Sequence, residues 1–244
     1  MTRLALITGA SGGLGSAIAA KLAMEGYRLA LHYYKNEDKA ESVRRSLPAL
    51  NGEHPLVEAD LRNEAAIKSM TKQVLQEMGP IDVLINNAGI PFSGLSWKQS
   101  TEQWEEVFAI NTTAAWMVSK YCIPMMREKN EGRIIYISSV VAHRPLTGTS
   151  AYAASKAALE GLTRAQAVEL SRFGITVNCI APGYFDAGMI SSVEDNIRKE
   201  LQKQTPAGRL GHASELAAAV VYLCSTDASF TTGQIIHING GLYI

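Results

Sequence analysis

The 244-residue chain has few cysteines and no long apolar run, and both absences exclude classes of protein. Cys122, Cys179 and Cys224 lie far apart and form no Cys-x-x-Cys pair, which argues against a disulfide framework or a thiolate metal site. We expect them to be small buried hydrophobic residues in a reducing compartment. No apolar run approaches the roughly 20 residues that a membrane helix needs, and no cleavage-site pattern follows the first strand. A cytoplasmic protein without a membrane partner is therefore expected.

The chain also has no excess of charge, because Lys plus Arg and Asp plus Glu both number 23. A balanced surface supplies no field that attracts phosphate backbones, which argues against nucleic acid as a main partner. The five histidines show no metal-ligand spacing, so no metal is expected. Hydrophobic residues make up 47% of the chain, which excludes disorder and supplies a large core.

Short apolar runs alternate with amphipathic stretches along the whole chain. Runs that are apolar at nearly every position are typical of strands covered on both faces. The strand predictions are Leu4–Ile7, Arg28–Leu31, Ile81–Ile85, Arg133–Ile137, Ile175–Ile180 and Ile235–Ile238, with His54–Ala59 as a weaker seventh. The helix predictions are Gly15–Glu25, Glu37–Leu47, Glu64–Met78, Thr112–Arg127, Ala151–Phe173, Val193–Lys203 and Ser214–Cys224. This alternation predicts an α/β fold, a doubly wound (Rossmann) parallel sheet of seven strands with helices on both faces.

No linker or repeat divides the chain, so we predict a single domain over residues 1–244. The segment Gly183–Ala213 interrupts the alternation and follows the carboxyl end of a predicted strand. Ligands bind at that edge of a doubly wound sheet, and long loops in compact domains are usually functional. We therefore predict that residues 183–213 form a substrate loop.

The first predicted strand runs into a glycine-rich segment at the start of a helix. Glycines let the backbone turn tightly and let a pyrophosphate approach the amides, while the helix N-terminus adds free N–H groups. The pattern predicts a dinucleotide site, with a purely structural turn as the alternative. The residues assigned to this site are Gly9, Ala10, Ser11, Gly12, Gly13, Leu14 and Gly15.

Three further residues suggest acid–base chemistry. Tyr152 and Lys156 lie one helical turn apart, so their side chains project from the same helix face. A phenol has a pKa of about 10, and a nearby ammonium would lower it toward the working pH. Ser139, just past the fifth strand, could donate a hydrogen bond to a substrate carbonyl oxygen. A half-buried core tyrosine and a solvated lysine are the alternatives.

In type, spacing and order, these motifs resemble those of short-chain dehydrogenases/reductases. The matching motifs are Gly9-x3-Gly13-x-Gly15, Asn86-Asn87-Ala88-Gly89, Asn111, Ser139 with Tyr152-x3-Lys156, and Pro182-Gly183. The C-terminal segment Asn239–Ile244 resembles that of β-ketoacyl-acyl-carrier-protein reductases in particular. The resemblance covers the whole chain.

The resemblance implies an NAD(P)-dependent oxidoreductase whose catalytic residues are Asn111, Ser139, Tyr152 and Lys156. Tyr152 would give a proton to a ketone oxygen, and Lys156 would lower the tyrosine pKa and hold the nicotinamide ribose. Asn111 would hold a water, with a helix cap as the alternative. The implied activity is NADPH-dependent reduction of a 3-oxoacyl group on acyl carrier protein, in fatty acid synthesis. A reductase or dehydrogenase acting on acetoacetyl-coenzyme A, a polyketide or a small ketone or alcohol stays open, as does a non-catalytic dinucleotide sensor.

The end of the second strand bears on the choice of nicotinamide. Tyr33 stands where the family's NAD enzymes carry Asp, so a 2′-phosphate is not repelled and Lys35 could pair with it. NADP(H) is therefore predicted over NAD(H), although Lys35 could also be a solvated loop charge. Asp60 matches the family's contact to the adenine amino group, with a capping Asp as the alternative. The other implied cofactor contacts are Tyr34, Leu61, Asn87, Ala88, Gly89, Tyr152, Lys156, Pro182, Gly183 and Phe185.

An acidic carrier protein would need basic residues beside the site entrance, and surface charges are the alternative interpretation of any candidate. The candidates are Arg127, Lys129, Arg133 and Arg172. Apolar helices and an apolar C-terminus, together with the assembly of relatives, predict a homotetramer.

Overall fold

Seven parallel strands form one sheet in the part of the chain that the computed structural model describes, residues 2–48, 53–188, 190 and 193–244. Their order across the sheet is β3-β2-β1-β4-β5-β6-β7. The strands are β1 Leu4–Ile7, β2 Arg28–Tyr33, β3 Leu56–Glu58, β4 Val83–Asn86, β5 Gly132–Ile137, β6 Ile175–Pro182 and β7 Ile235–Ile238. The helices are α1 Gly13–Met24, α2 Glu37–Ser46, α3 Glu64–Met78, α4 Thr101–Phe108, α5 Ala114–Lys129, α6 Ser150–Leu170, α7 Asp195–Gln204 and α8 Ala213–Cys224.

The strands are apolar at nearly every position because helices cover both faces of the sheet. Side chains along a strand alternate between faces. In β1, Leu4 and Leu6 pack with buried residues of α3, α5 and α6, whereas Ala5 and Ile7 pack with buried residues of α1 and α8. The predicted doubly wound α/β fold is confirmed.

Strands β2 and β3 lie on one side of β1, and β4 to β7 lie on its other side. The direction in which successive strands are added therefore reverses between β1 and β4, which are hydrogen-bonded neighbours. The loops that leave the carboxyl ends of these two strands connect to helices on opposite faces, so a crevice opens between them. Thr8 joins the two loops, because its hydroxyl accepts hydrogen bonds from the amides of Asn87 and Ala88 at 3.0 Å each. The sheet therefore positions the glycine-rich segment against the Asn-Asn-Ala-Gly motif.

The helix predicted over Thr112–Arg127 differs from the structure. The chain is already helical in α4 and continues through a π-helical turn, Ala109–Thr113, into α5. A π turn adds a residue to the hydrogen-bonded ring, and such turns are frequent at functional sites. α5 ends at Lys129, where Asn130 adopts a left-handed conformation.

The predicted substrate loop contains α7, close to the expected helix Val193–Lys203. Three of its residues, Met189, Ser191 and Ser192, lie outside the described residues. All three cysteines are free and buried, as expected. None of the helices in the described part of the chain has the length and apolar content to cross a membrane. A single domain over residues 1–244 stays a prediction.

Candidate active site

A cavity of about 630 Å³ opens at the carboxyl ends of the central strands. Its walls include most of the glycine loop, which we define as residues 8–15, and three of the four candidate catalytic side chains. The predicted site residues that line it are Gly9, Ser11, Gly12, Gly13, Leu14, Gly15, Tyr33, Tyr34, Asp60, Leu61, Asn87, Ala88, Gly89, Ser139, Tyr152, Lys156, Pro182, Gly183 and Phe185. Ala10, Lys35 and Asn111 do not contribute to the lining.

His32 and Asn87 hold the glycine loop in shape. The buried His32 ring accepts a hydrogen bond from the Gly9 amide at Nδ1 and reaches the Ala59 carbonyl through Nε2, both at 3.0 Å. Burial lowers the pKa of His32 to about 4, so the ring is neutral near pH 7 and Nδ1 can accept. The Asn87 side-chain amide donates to the carbonyl groups of Thr8 and Gly9 at 3.0 and 3.1 Å. The loop backbone is therefore held from two neighbouring strands.

The glycine loop has the features of a pyrophosphate cradle. Helix α1 begins after Gly12 without a side-chain cap, so the first N–H groups of the helix stay available for an anion. A Cβ on Gly15 would lie 2.4 Å from the Gly9 carbonyl oxygen, and a Cβ on Gly13 would lie 2.2 Å from the Gly188 nitrogen. Both positions therefore require glycine. These features fit a dinucleotide.

Lys156 is a buried ammonium in the cavity wall. It is 4% exposed, and its Nζ donates to the Ile137 carbonyl at 2.8 Å. Burial lowers the pKa of Lys156 to about 8, because the charged form is poorly solvated there. Nζ lies 5.8 Å from the centroid of the Tyr152 ring, and both residues lie on α6. The lysine therefore remains mostly protonated at pH 7 beside the phenol.

The electrostatics of Tyr152 differ from our expectation. Burial raises the pKa of Tyr152, because the phenolate form is poorly solvated, and hydrogen bonding with Ser139 opposes this rise. Burial therefore outweighs the lowering that we expected from Lys156, whose ammonium donates to the Ile137 carbonyl. In this arrangement the phenol stays protonated near pH 7, which is the form that can donate a proton.

Asn111 lies behind the cavity wall, fully buried in the π-helical turn between α4 and α5. Its Oδ1 accepts from the Ile90 amide at 2.8 Å, and its Nδ2 donates to the Ile90 carbonyl and the Ser155 hydroxyl. Asn111 Oδ1 and Lys156 Nζ lie 3.1 and 3.2 Å from the point that a Cβ on Gly89 would occupy. The helix-cap alternative is wrong, because Asn111 lies inside continuous helix.

The carboxyl ends of β2 and β3 contribute two cations that the sequence analysis missed. Lys39, in the first turn of α2, and Arg62, just after β3, both line the cavity. Arg62 donates to both carboxylate oxygens of Asp60, at 2.6 and 2.9 Å, and to the Tyr34 hydroxyl at 2.9 Å. Lys35, by contrast, adopts a left-handed conformation and its Nζ lies 5.0 Å from the Tyr34 ring centroid.

Arg62 sets the ionisation state of Asp60 and neutralises its charge. Hydrogen bonding with Arg62 holds the pKa of Asp60 at about 2, so the carboxylate is ionised and its charge is compensated. The helix-cap alternative for Asp60 is wrong, because Asn63 caps α3 through the amides of Ala65 and Ala66. No local pattern marks Arg62, since only the sheet brings the end of β3 next to the end of β2.

The basic residues expected beside the site entrance lie elsewhere in the chain. Arg127, Lys129, Arg133 and Arg172 lie around the amino ends of β5 and β6, whereas the cavity lies at the carboxyl ends. Arg133 is 3% exposed and donates to backbone carbonyl groups, and Lys129 pairs with Asp82. The expectation that these residues flank the entrance of the cavity is wrong, because the sequence alone does not show at which end of the sheet a basic residue lies.

With this geometry in place, comparison with known proteins identifies the family. A family model described as enoyl-(acyl carrier protein) reductase matches residues 9–243. The chain belongs to the short-chain dehydrogenase/reductase family. It is 37% identical to the 3-oxoacyl-[acyl-carrier-protein] reductase FabG of Staphylococcus aureus over 244 residues, which are all of this chain and 99% of that protein.

Two other members of the family match over nearly their whole length. FabG of Escherichia coli is 38% identical over 242 residues, 99% of this chain and 98% of that protein. Nodulation protein G of Azospirillum brasilense is 38% identical over 240 residues, 98% of each chain. As a short-chain dehydrogenase/reductase, the protein is an oxidoreductase that uses a nicotinamide dinucleotide.

Proposed function

We propose that this protein reduces the 3-oxo group of an acyl thioester on acyl carrier protein to a 3-hydroxy group, with NADPH, in fatty acid synthesis. The observation that carries the proposal is the convergence of Ser139, Tyr152 and Lys156 with the glycine loop in one cavity. The full-length relatives named 3-oxoacyl-[acyl-carrier-protein] reductase support the substrate.

In the proposed reaction the residues act on the ketone oxygen. A reduced nicotinamide supplies a hydride when bound, and negative charge then develops on that oxygen. The Ser139 hydroxyl donates a hydrogen bond to the oxygen, and Tyr152 transfers its phenolic proton to it, which completes the alcohol. The Lys156 ammonium, next to the phenol, stabilises the phenolate left behind, and Asn111 maintains the backbone at Ile90 beside it.

The preference for NADPH is supported by charge at the ends of β2 and β3. Tyr33 ends β2 without a carboxylate that would repel a 2′-phosphate. Lys39 and Arg62 line the cavity there, and Arg62 compensates the charge of Asp60. Among the charged side chains that line this end of the cavity, Lys39 and Arg62 outnumber the one carboxylate of Asp60, and Glu106, which lies 3.8 Å from Arg62, is not part of the lining. We therefore propose NADP(H) over NAD(H), with Lys39 and Arg62 rather than Lys35 as the nearby cations.

A homotetramer is proposed on the basis of exposed apolar side chains. Trp116 on α5 and Val168 on α6 are 43% and 81% exposed, and Phe230 and Ile244 are fully exposed. We propose that these side chains lie at interfaces between copies of the chain, where contact would remove their apolar surface from water. Light scattering at micromolar concentration tests the proposal, and a monomer would contradict it. The buried free cysteines support a reducing, cytoplasmic location.

The decisive experiment follows NADPH oxidation with four substrates: acetoacetyl-acyl carrier protein, acetoacetyl-coenzyme A, simple ketones and a 2-enoyl thioester. We expect the highest kcat/KM with the carrier-protein ketone. Preference for the enoyl thioester would instead support the activity in the family model's description, and absence of turnover with all four would support a dinucleotide sensor.

The Tyr152→Phe variant tests the proposed acid. We expect kcat to fall by about 10²–10⁴ while NADPH affinity is mostly kept, because the variant loses the proton donor but keeps the aromatic ring and all the other cofactor contacts. The measurement is steady-state reduction together with NADPH fluorescence titration. Near-normal turnover would contradict the assignment of Tyr152.

A further inference from the structure

A buried carboxylate lies behind the catalytic residues and takes no part in the proposed chemistry. Glu160, one helical turn after Lys156 on α6, is 4% exposed. Its Oε1 lies 2.9 Å from Nε2 of His143 and 3.0 Å from the Ser138 hydroxyl, which shares its single proton between Glu160 and the Lys156 carbonyl oxygen at 3.1 Å. Burying a carboxylate is costly unless donors surround it, so these contacts strongly constrain the local structure.

Both donors belong to the segment that carries Ser139. Ser138 directly follows β5, and His143 follows the 3-10 turn Val140–Ala142, which Ser139 caps. Glu160 therefore connects the chain on both sides of Ser139 to α6. Helix α6 also carries Tyr152, so one carboxylate links the two hydroxyl groups that the proposed reaction needs on a single oxygen.

The orientation of His143 is fixed from its other side. Its ring stacks on Tyr243 with centroids 4.5 Å apart and meets the edge of His237 at 4.8 Å. This packing keeps Nε2 directed at Glu160, and because an ionised carboxylate can only accept, the pair forms a hydrogen bond in the tautomer that carries its proton on Nε2. The C-terminal segment thereby supports the contact without entering the cavity.

We infer that Glu160 and His143 are positioning residues, which hold the Ser139 hydroxyl in register with the Tyr152 hydroxyl during ketone reduction. This inference rests on the proposed function. A misplacement of about 1 Å at a reacting group costs about 10²-fold in rate. Loss of the contact therefore slows hydride transfer and leaves cofactor binding intact.

The test compares four variants of the full-length enzyme: E160A, E160Q, H143F and the control E64A. Gln at position 160 keeps an oxygen that can accept from Ser138 and His143. Glu64 matches Glu160 in accepting two hydrogen bonds, from Lys120 and Tyr121, but its contacts are exposed. The readouts are kcat, KM, NADPH affinity by fluorescence, and the primary isotope effect with 4-deuterated NADPH.

We expect E160A to lower kcat about 10- to 100-fold and H143F about 3- to 10-fold, on the basis of the misplacement cost above. The isotope effect should rise in both, because hydride transfer becomes slower than the other steps. E160Q should recover most of the rate, and E64A should match wild type. NADPH affinity should stay within about threefold throughout.

An unchanged isotope effect in H143F, or equal losses in E160Q and E160A, would overturn the inference. If E160A does not fold, the H143F and E160Q variants test the positioning role with the same measurements. If the wild-type enzyme reduces only other ketones, the proposed function fails, and the same variants test the positioning role on those ketones.

Discussion

Replacing Lys156 by Met removes a buried charge, and its effect on stability should depend on pH. The pKa of Lys156 is about 8 in the folded protein, against 10.5 for an unperturbed lysine. Because the folded pKa is the lower one, the unfolded chain binds more protons between these values, and wild-type stability rises with pH there. At pH 7 the full penalty applies, which is about 3 kcal/mol.

At about pH 9.5 the folded lysine is neutral and the unfolded lysine is still largely charged, so the penalty falls to about 1 kcal/mol. The advantage of Lys156→Met over wild type should therefore shrink by about 2 kcal/mol between pH 7 and 9.5. The variant also leaves the Ile137 carbonyl without its donor, which costs about 1–3 kcal/mol. That cost offsets part of the stability gained by removing the buried charge, but it changes little with pH.

Urea unfolding of both proteins at the two pH values, at one protein concentration, measures this difference. Titrating groups that do not interact with Lys156 are common to both proteins and cancel. Equal differences at pH 7 and 9.5 would refute the claim that burial lowers the pKa of Lys156.

Two further predictions concern the glycine loop and the cofactor cations. Gly15→Ala should destabilise the protein by about 1–3 kcal/mol, because its Cβ would lie 2.4 Å from a backbone oxygen. Gly161→Ala is the control: it has open space around it and should stabilise the protein by about 0.4–1 kcal/mol. Thermal unfolding of both variants and of wild type measures these changes. Arg62→Ala exposes the Asp60 carboxylate and should weaken 2′,5′-ADP binding about tenfold or more relative to 5′-AMP, by calorimetry. Lys35→Ala is the matched control, and equal effects of the two variants would contradict this assignment.

Local sequence patterns predicted most of the secondary structure. Helix α3 begins and ends as expected, because Asn63 accepts from the first free amides and Gly79 adopts a positive φ that stops the helix. The strands were recognisable because a sheet covered on both faces requires apolar residues at nearly every position. The motif Tyr152-x3-Lys156 likewise predicted a shared helix face, since helix periodicity is a local property.

Tertiary structure decided which distant residues meet. Asn111 lies inside a π turn because α4 continues into α5, and a pattern starting at Thr112 does not show that continuity. Arg62, not Lys35, reaches the cavity because β3 pairs with β2, and Glu160 meets His143 because β5 packs on α6. Periodicity and capping act over a few residues and are readable in the sequence. The contacts that set charge and position at the site join segments far apart in the chain, so only the fold determines them.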